Sequence, residues 1–212
     1  MQWTLVIPLK PLARAKSRLS DTAHAGVRPS LALAFAQDTV AAALACPAVK
    51  DVAVVTDDAL AGRELAALGA RIVADEPRGG LNVALAHGAA VVRADRADSA
   101  VAALNADLPA LRPMELCRVL DAAAEFPRAF LADAAAIGTT LLAASPAQEL
   151  RPDFGSDSRA RHRASGAAEL ALTEVDSVRQ DVDTGDDLRA ALALGVGRRT
   201  AAVAAQLLIP GQ

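Results

Sequence analysis

Apolar positions along the chain follow two periods, and the two alternate. Residues 3–9 form a short apolar run with Pro8 near its end, the pattern of a buried first strand. Residues 10–28 read as a long loop. Pro29 and Ser30 then open a helical pattern over 31–46, stopped by Pro47. The β-branched run 51–56 predicts a second strand ending in Asp57-Asp58. A helix over 59–68 closes at Gly69, a residue suited to a C-cap. Residues 70–74 predict a short third strand, and Gly79-Gly80 precedes an alanine-rich helix over 81–93. Residues 99–104 predict a fourth strand, which runs into Asn105-Ala106-Asp107-Leu108-Pro109; a helix over 113–124 follows. Two strand-like runs, 128–132 and 139–144, flank a small-residue turn. The remainder reads as a loop over 151–158, a helix over 159–172, a strand over 177–182, a helix over 184–194 and a C-terminal helix over 198–208. Strands alternating with helices predict a mostly parallel sheet covered on both faces, a three-layer α/β fold. The length of 212 residues suits a single domain spanning 1–212.

Composition sharpens this picture at a few points. The AVILMFWYC set makes up 53% of the chain and aromatics only 2%, so the core is built largely from small side chains. A charged fraction of 22% with regular apolar runs excludes a disordered chain. The longest alanine-rich stretches carry Asp, Arg or Gln within 18 residues, so no membrane span is expected. The N-terminus shows no basic region or cleavage site for export, and a cytoplasmic location is expected. Cys46 and Cys117 offer neither a disulfide framework nor a metal-ligand spacing. A net charge of −3 and a pI near 5.6 argue against a nucleic-acid partner.

The distribution of charge says more than its sum. Of the 22 basic residues only Lys10, Lys16 and Lys50 are lysines. Residues 10–18 hold Lys10, Arg14, Lys16 and Arg18 and no acid. Four cations without a counter-charge repel one another and favour a polyanion such as a triphosphate, whose oxygens suit lysine point charges. The alternative is an ordinary solvated loop, and the Walker pattern of a phosphate loop is missing. Ligands of open α/β sheets bind beyond the carboxyl ends of the strands. There the first strand empties into the basic loop, the second into Asp57 and the fourth into Asp107.

Asp107 is placed to hold Mg²⁺, which takes one or two protein carboxylates and completes its shell with phosphate oxygens and water. A turn-former before Pro109 is the competing explanation. In an extended segment Asp181 and Asp183, two apart, face one side, so either can serve the same ion. Thr184 with Asp187 reads as a helix capping box instead. Gly80 permits close backbone approach and Asn82 can hydrogen-bond a base or ribose edge, unless the pair merely makes a turn and a cap. Arg18, Asp57, Gly80 and Asn82 are thus the candidates for the nucleotide. Gly138-Thr139-Thr140 and 152–158 bring small and hydroxyl-bearing residues together, and the latter precedes a helix start, where anions are favoured. His24, His87 and His162 share no spacing, and no Ser/His/Asp or Cys/His order stands out.

Together these segments resemble a known family. Ile7-Pro8-Leu9-Lys10-Pro11-Leu12-Ala13-Arg14-Ala15-Lys16-Ser17-Arg18-Leu19 is similar to the opening of the 2-phospho-L-lactate and phosphoenolpyruvate guanylyltransferases of coenzyme F-420 biosynthesis. The likeness continues through Gln37-Asp38-Thr39, Val55-Thr56-Asp57, Gly80-Leu81-Asn82, Ala106-Asp107-Leu108-Pro109, Gly138-Thr139-Thr140, Phe154-Gly155 with Ser158, Arg161-His162 and Asp181-Val182-Asp183-Thr184.

The resemblance implies a nucleotide-diphospho-sugar-transferase-like, Rossmann-like fold. It implies transfer of GMP from GTP, with Mg²⁺ as cofactor, to phosphoenolpyruvate; 2-phospho-L-lactate and 3-phosphoglycerate are alternative acceptors. It places Lys10 and Lys16 at the GTP phosphates, Asp107 with Asp181 or Asp183 at the metal, and Thr140, Gly155 and Ser158 at the phospho-acid. The family turn often carries a further glycine where this chain has Ala136-Ile137, which leaves the presentation of Thr139 and Thr140 open. A homodimer and hand-over of product to the next enzyme are compatible with this reading. Two rival classes are a metal-dependent glycosyltransferase, which often uses an Asp-x-Asp pair where this chain has only Asp107, and a non-catalytic nucleotide-binding module.

Overall fold

The first strand, β1 (Trp3–Pro8), has no solvent-facing side. Trp3, Leu5 and Ile7 enter one apolar cluster and Val6 another, all fully buried. A strand buried on both faces belongs in the middle of a covered sheet. The structure, a computed structural model, describes residues 1–14, 19, 26–76 and 78–207. After one 3₁₀ turn (Leu12–Arg14), the elements run α1 (Arg28–Leu44), β2 (Val49–Val55), α2 (Ala59–Ala66), β3 (Arg71–Val73), α3 (Leu81–Asp95), β4 (Ala100–Leu104) and α4 (Pro113–Ala123). They continue as β5 (Arg128–Ala132), β6 (Thr139–Ala144), α5 (Ser158–Ala164), β7 (Ala168–Glu169), α6 (Asp176–Arg179), α7 (Gly185–Leu194) and α8 (Arg198–Leu207).

The strands form one seven-stranded sheet in the order β3-β2-β1-β4-β6-β5-β7. β6 runs antiparallel to β4 and β5, while the other pairs are parallel. Ala32, Ala36, Val40 and Ala43 of α1, Leu65 of α2, Leu116 and Leu120 of α4 and Val178 of α6 cover one face. Ala84, Leu85, Ala89 and Val92 of α3 cover the other, with Phe154 and Ala167 beside them. The expected three-layer, mostly parallel architecture is therefore present. Among the described residues no helix is long and apolar enough to cross a membrane.

Two element assignments differ from the sequence reading. The helix expected over 159–172 stops at Ala164, because Ser165 caps it and Gly166 turns the chain at φ +82°. Ala168–Glu169 then pairs with β5 as an edge strand. The strand expected over 177–182 is the single helical turn α6. Val175, Val178 and Val182 are all fully buried, and their spacing of three and four belongs to a helix and its exit. The long loop over 10–28 holds the 3₁₀ turn and the start of α1; residues 15–18 and 20–25 lie outside the described residues.

α1 also serves as a fastening post. The Thr39 hydroxyl accepts the N–H of Leu108 at 3.0 Å, which pins the loop after β4. The buried Asp38 carboxylate accepts Thr200 N–H at 2.8 Å and Arg199 N–H at 3.3 Å, docking the first turn of α8. A third apolar cluster, including Leu31, Phe35, Val182, Leu188 and Ala191, joins α1 to α7 and to the segment before it.

The small-residue composition has a direct use in α3. A Cβ on Gly88 would lie 2.6 Å from Val6 Cγ1 and 2.7 Å from Val55 Cγ2, so the helix meets the sheet at van der Waals contact only because no side chain is there. We predict that Gly88→Ala destabilises the protein by about 1–3 kcal/mol through overpacking, despite alanine's better helix propensity. Urea unfolding measures this, and an unchanged midpoint would show that the α3–sheet contact yields freely.

Candidate active site

Parallel strands end together, and their carboxyl ends leave a crevice where chemistry-bearing loops converge. Here that crevice is a cavity of about 600 Å³, a common size for small-molecule sites. Leu9 and Lys10 reach it from β1, Asn105 to Asp107 from β4, and Gly138 with Thr139 from the start of the antiparallel β6. Residues 154–158 and the acids Asp181 and Asp183 complete its wall.

The basic loop leaves β1 under control at its first residues. Leu9 N–H donates to Val55 C=O at 2.9 Å, and Leu12 N–H to the Asp58 carboxylate at 2.9 Å. The same carboxylate caps α2 by accepting from Leu60 at 3.1 Å and Ala61 at 3.0 Å. Burial alone would raise the Asp58 pKa, but the N–H donors of Ala61, Leu12 and Leu60 outweigh it and hold the carboxyl below its ordinary range.

A main-chain bond joins the two acidic stretches. Val182 N–H donates to Asp107 C=O at 3.0 Å, so the segment 181–183 lies alongside the end of β4. Val182 points into the third apolar cluster, and its neighbours Asp181 and Asp183 both line the cavity. The alternation inferred from the sequence therefore holds at these positions, although the strand around them does not. Asn105 Nδ2 donates to Asp181 Oδ2 at 3.2 Å, and its own N–H is held by Thr140 C=O at 3.0 Å. Asp183 is exposed and its N–H donates to Asp187 at 3.1 Å. Asp187 and Thr184 form the expected capping box on α7.

The donor set fits a hard divalent cation. Asp107, Asp133, Asp157, Asp181 and Asp183 line the cavity against Lys10 as the lysine among the described lining residues. No group of three or more His, Cys, Asp or Glu side chains converges on one point among the described residues. Carboxylate oxygens are hard donors of the kind a divalent cation takes.

The wall over 153–158 is held from several sides. The buried His162 ring accepts Asp153 N–H at Nε2, 3.0 Å, which places its proton on Nδ1 for the Thr139 hydroxyl, also at 3.0 Å. Phe154 packs edge-on against this ring with centroids 5.0 Å apart. Arg161 donates to Asp153 C=O at 3.1 Å and to Ser156 C=O. Gly155 sits at φ +126°, and Ser158, almost fully buried, opens α5. Across the cavity Asp133 folds the β5–β6 turn by accepting Gly138 N–H at 2.8 Å and Ile137 N–H at 3.0 Å. A Cβ on Gly138 would fall 2.4 Å from that carboxylate. The register slips beside this turn, from Leu131 opposite Leu141 to Ala132 opposite Thr139, so Thr140 sits in a bulge.

Of the residues singled out from the sequence, Lys10, Asp107, Asp181, Asp183, Gly155 and Ser158 line this one cavity. Thr140 lies one residue behind lining Thr139, fully buried, with a hydroxyl that has no partner among the described residues. Three nucleotide candidates fall outside the lining. Asp57 accepts Asp75 N–H at 3.1 Å and Arg78 Nε at 3.2 Å. Gly80, at φ +88°, is the N-cap position of α3. Asn82 engages the Phe154 main chain rather than facing the cavity. Lys16 and Arg18 lie outside the described residues. Asn105, Asp133, Asp58 and His162 carried no assigned site role in the sequence, because their partners are all remote or main-chain atoms.

A mostly parallel sheet with an acidic cavity at its strand ends defines a nucleotidyltransferase-type α/β fold. The same fold occurs in a candidate nucleotide-diphospho-sugar transferase from Desulfovibrio desulfuricans G20, at TM-score 0.66 and 16% identity over 99% of this chain and 100% of that one. A nucleotidyl transferase from Methanothermobacter superposes at TM-score 0.66 with 23% identity, over 91% of this chain and 97% of its own. A Mycobacterium tuberculosis H37Rv protein solved in complex with manganese aligns at TM-score 0.56 with 22% identity, over 91% and 99%. The model of the family described as guanylyl transferase CofC like matches residues 3–208, and the chain belongs to that family. A phosphoenolpyruvate guanylyltransferase of Streptomyces coelicolor is 81% identical over the full length of both chains.

His162 makes the wall over 153–158 sensitive to acid. Burial drives its pKa down from 6.5 to about 4, with Asp153 opposing and Arg128 and Arg161 adding to the shift. A group depressed in this way contributes stability above its unfolded pKa, and that contribution is lost as pH falls from 6.5 toward 4. We predict a loss of about 2 kcal/mol through this residue between pH 7.5 and pH 5. Urea unfolding of wild type and His162→Gln at both pH values measures it. An equal pH dependence in the two proteins would contradict the assignment.

Proposed function

We propose that this chain transfers GMP from GTP to phosphoenolpyruvate, giving enolpyruvyl-2-diphospho-5'-guanosine and pyrophosphate in the route to coenzyme F-420. The observation that carries the reading is the meeting of three features in one cavity: Lys10 from the basic loop, the acids Asp107, Asp181 and Asp183, and the Gly155–Ser158 wall. Family membership and the naming of the 81% identical relative support the same reaction.

In the proposed reaction a phosphate oxygen of phosphoenolpyruvate attacks the α-phosphorus of GTP in line. The new P–O bond forms as the bond from that phosphorus to the bridging oxygen breaks, and pyrophosphate carries off the electron pair. The attacking phosphate is already ionised near neutral pH, so no side chain has to remove a proton. That agrees with a cavity lining free of histidine among the described residues. The chain's task is positioning and charge neutralisation. Lys10 faces the GTP phosphates, with Lys16 and Arg18 expected beside it from the basic loop. Ser158 offers a hydroxyl, and Gly155 a wall without a side chain, to the acceptor; Thr140 stands behind them. Asp107 with Asp181 or Asp183 would hold Mg²⁺, which when bound neutralises phosphate charge and polarises the reacting phosphoryl group. The whole chain, 1–212, acts as one nucleotidyltransferase domain in the cytoplasm, and the diphosphate product passes to the next enzyme.

A pyrophosphate-release assay over an acceptor panel tests this. Phosphoenolpyruvate is expected to outrun 2-phospho-L-lactate and 3-phosphoglycerate; the reverse order would move the acceptor assignment. Release of nucleoside diphosphate from a nucleotide-sugar would instead point to a glycosyltransferase. We further predict that Asp107→Asn lowers turnover by about 10²–10³-fold or more, the usual cost of removing one electrostatic clamp, with an unchanged unfolding midpoint. Near-normal GMP transfer by that variant would refute a metal role for Asp107.

A further inference from the structure

Asn82 reaches from the first turn of α3 to a segment 72 residues away in the chain. Its Oδ1 accepts the Phe154 N–H at 2.7 Å, and its Nδ2 donates to the Phe154 C=O at 3.1 Å. An amide that satisfies both main-chain groups of one residue stands in for a neighbouring strand. It fixes the place and the orientation of that stretch, where a single bond would leave it free to pivot.

The two ends of this link differ in character. On the α3 side Gly80 at φ +88° sets the helix entry, Asn82 follows two residues later, and the helix packs through Gly88 onto Val6 and Val55. On the other side Phe154 leads directly into Gly155 at φ +126° and on to Ser158, all lining the cavity. His162 and Arg161 hold the preceding residue, Asp153, and they do so from α5. Asn82 therefore grips the wall where it turns into the cavity, and it ties that wall to the layer packed on β1 and β2.

We propose that Asn82 is a positioning residue for the acceptor: by gripping Phe154 it sets how far Gly155 and Ser158 stand from Asp107. This rests on the reading that Gly155 and Ser158 seat the phospho-acid. It replaces the expectation that Asn82 meets the nucleotide. Loss of the grip lets the wall relax outward, so acceptor binding and alignment suffer while GTP binding does not.

Initial rates of pyrophosphate release, varying phosphoenolpyruvate at saturating GTP and the reverse, test the proposal on Asn82→Ala and the near-isosteric Asn82→Asp. The alanine variant is expected to raise the KM for phosphoenolpyruvate tenfold or more and to change the KM for GTP less than twofold. The aspartate variant keeps an acceptor for the Phe154 N–H but, when ionised, has no donor for the C=O. Its KM for phosphoenolpyruvate at neutral pH is therefore expected to rise as in the alanine variant, with the KM for GTP again changed less than twofold. That split between the two substrates would not follow from general loosening, and the near-isosteric variant keeps the test open should the alanine variant not fold. Unchanged acceptor KM in both variants, or a parallel rise for both substrates, would overturn the role of Asn82. A wild-type enzyme that releases no pyrophosphate with any phospho-acid would overturn the functional reading, and the acceptor role with it.

Discussion

Two phosphate compounds must come within bonding distance, and the cavity that would receive them is itself acidic. Unit charges about 5 Å apart repel by roughly 1 kcal/mol in water and roughly 3 kcal/mol at the effective dielectric typical near a protein surface. Asp107, Asp133, Asp157, Asp181 and Asp183 all add to that repulsion. In the proposed reaction, cations offset that repulsion. Lys10 supplies one, the basic residues that follow it in the sequence are expected to supply more, and the carboxylates become assets once they hold a divalent ion. In the proposed function the acidic cavity is completed by a metal and the substrates.

Holding those carboxylates in position falls to a few bonds between distant parts of the chain. One main-chain bond, Val182 N–H to Asp107 C=O at 3.0 Å, joins the two acidic stretches. Thr39 pins the residue after Asp107, and Asn105 orients Asp181. On the opposite wall Asp133, His162 and Asn82 each hold main-chain groups of the turn and loop that frame the cavity. Several polar side chains at and near the site therefore serve the backbone.

This division explains what could be read from the sequence. The strand–helix alternation survived almost intact because each element has its own period, and the acids at strand ends followed from topology. The helix expected over 159–172 overran because the alanines and leucines after Gly166 keep a helical look, while the Ser165-Gly166 break is short. The strand expected over 177–182 looked alternating at Ser177 to Val182, yet the three valines at 175, 178 and 182 carried the helical spacing. At the site, Asp57 and Asn82 were plausible ligand contacts by type and place. Nothing local distinguishes an amide facing a base from one facing Phe154 across the fold, and the same blindness hid His162. In the Gln37-Asp38-Thr39 segment, Asp38 and Thr39 prove to be pins for α8 and for the loop carrying Asp107.

The central claim is that acceptor binding depends on a cation held by the cavity acids. Calorimetric titration of phosphoenolpyruvate into the protein, saturated with a GTP analogue bridged by methylene between its α- and β-phosphates, tests it without turnover. With Mg²⁺ present the account predicts measurable binding, weakened at least about 100-fold when the ion is chelated, in line with the several kcal/mol at stake. Equal affinity with and without the divalent ion would contradict it.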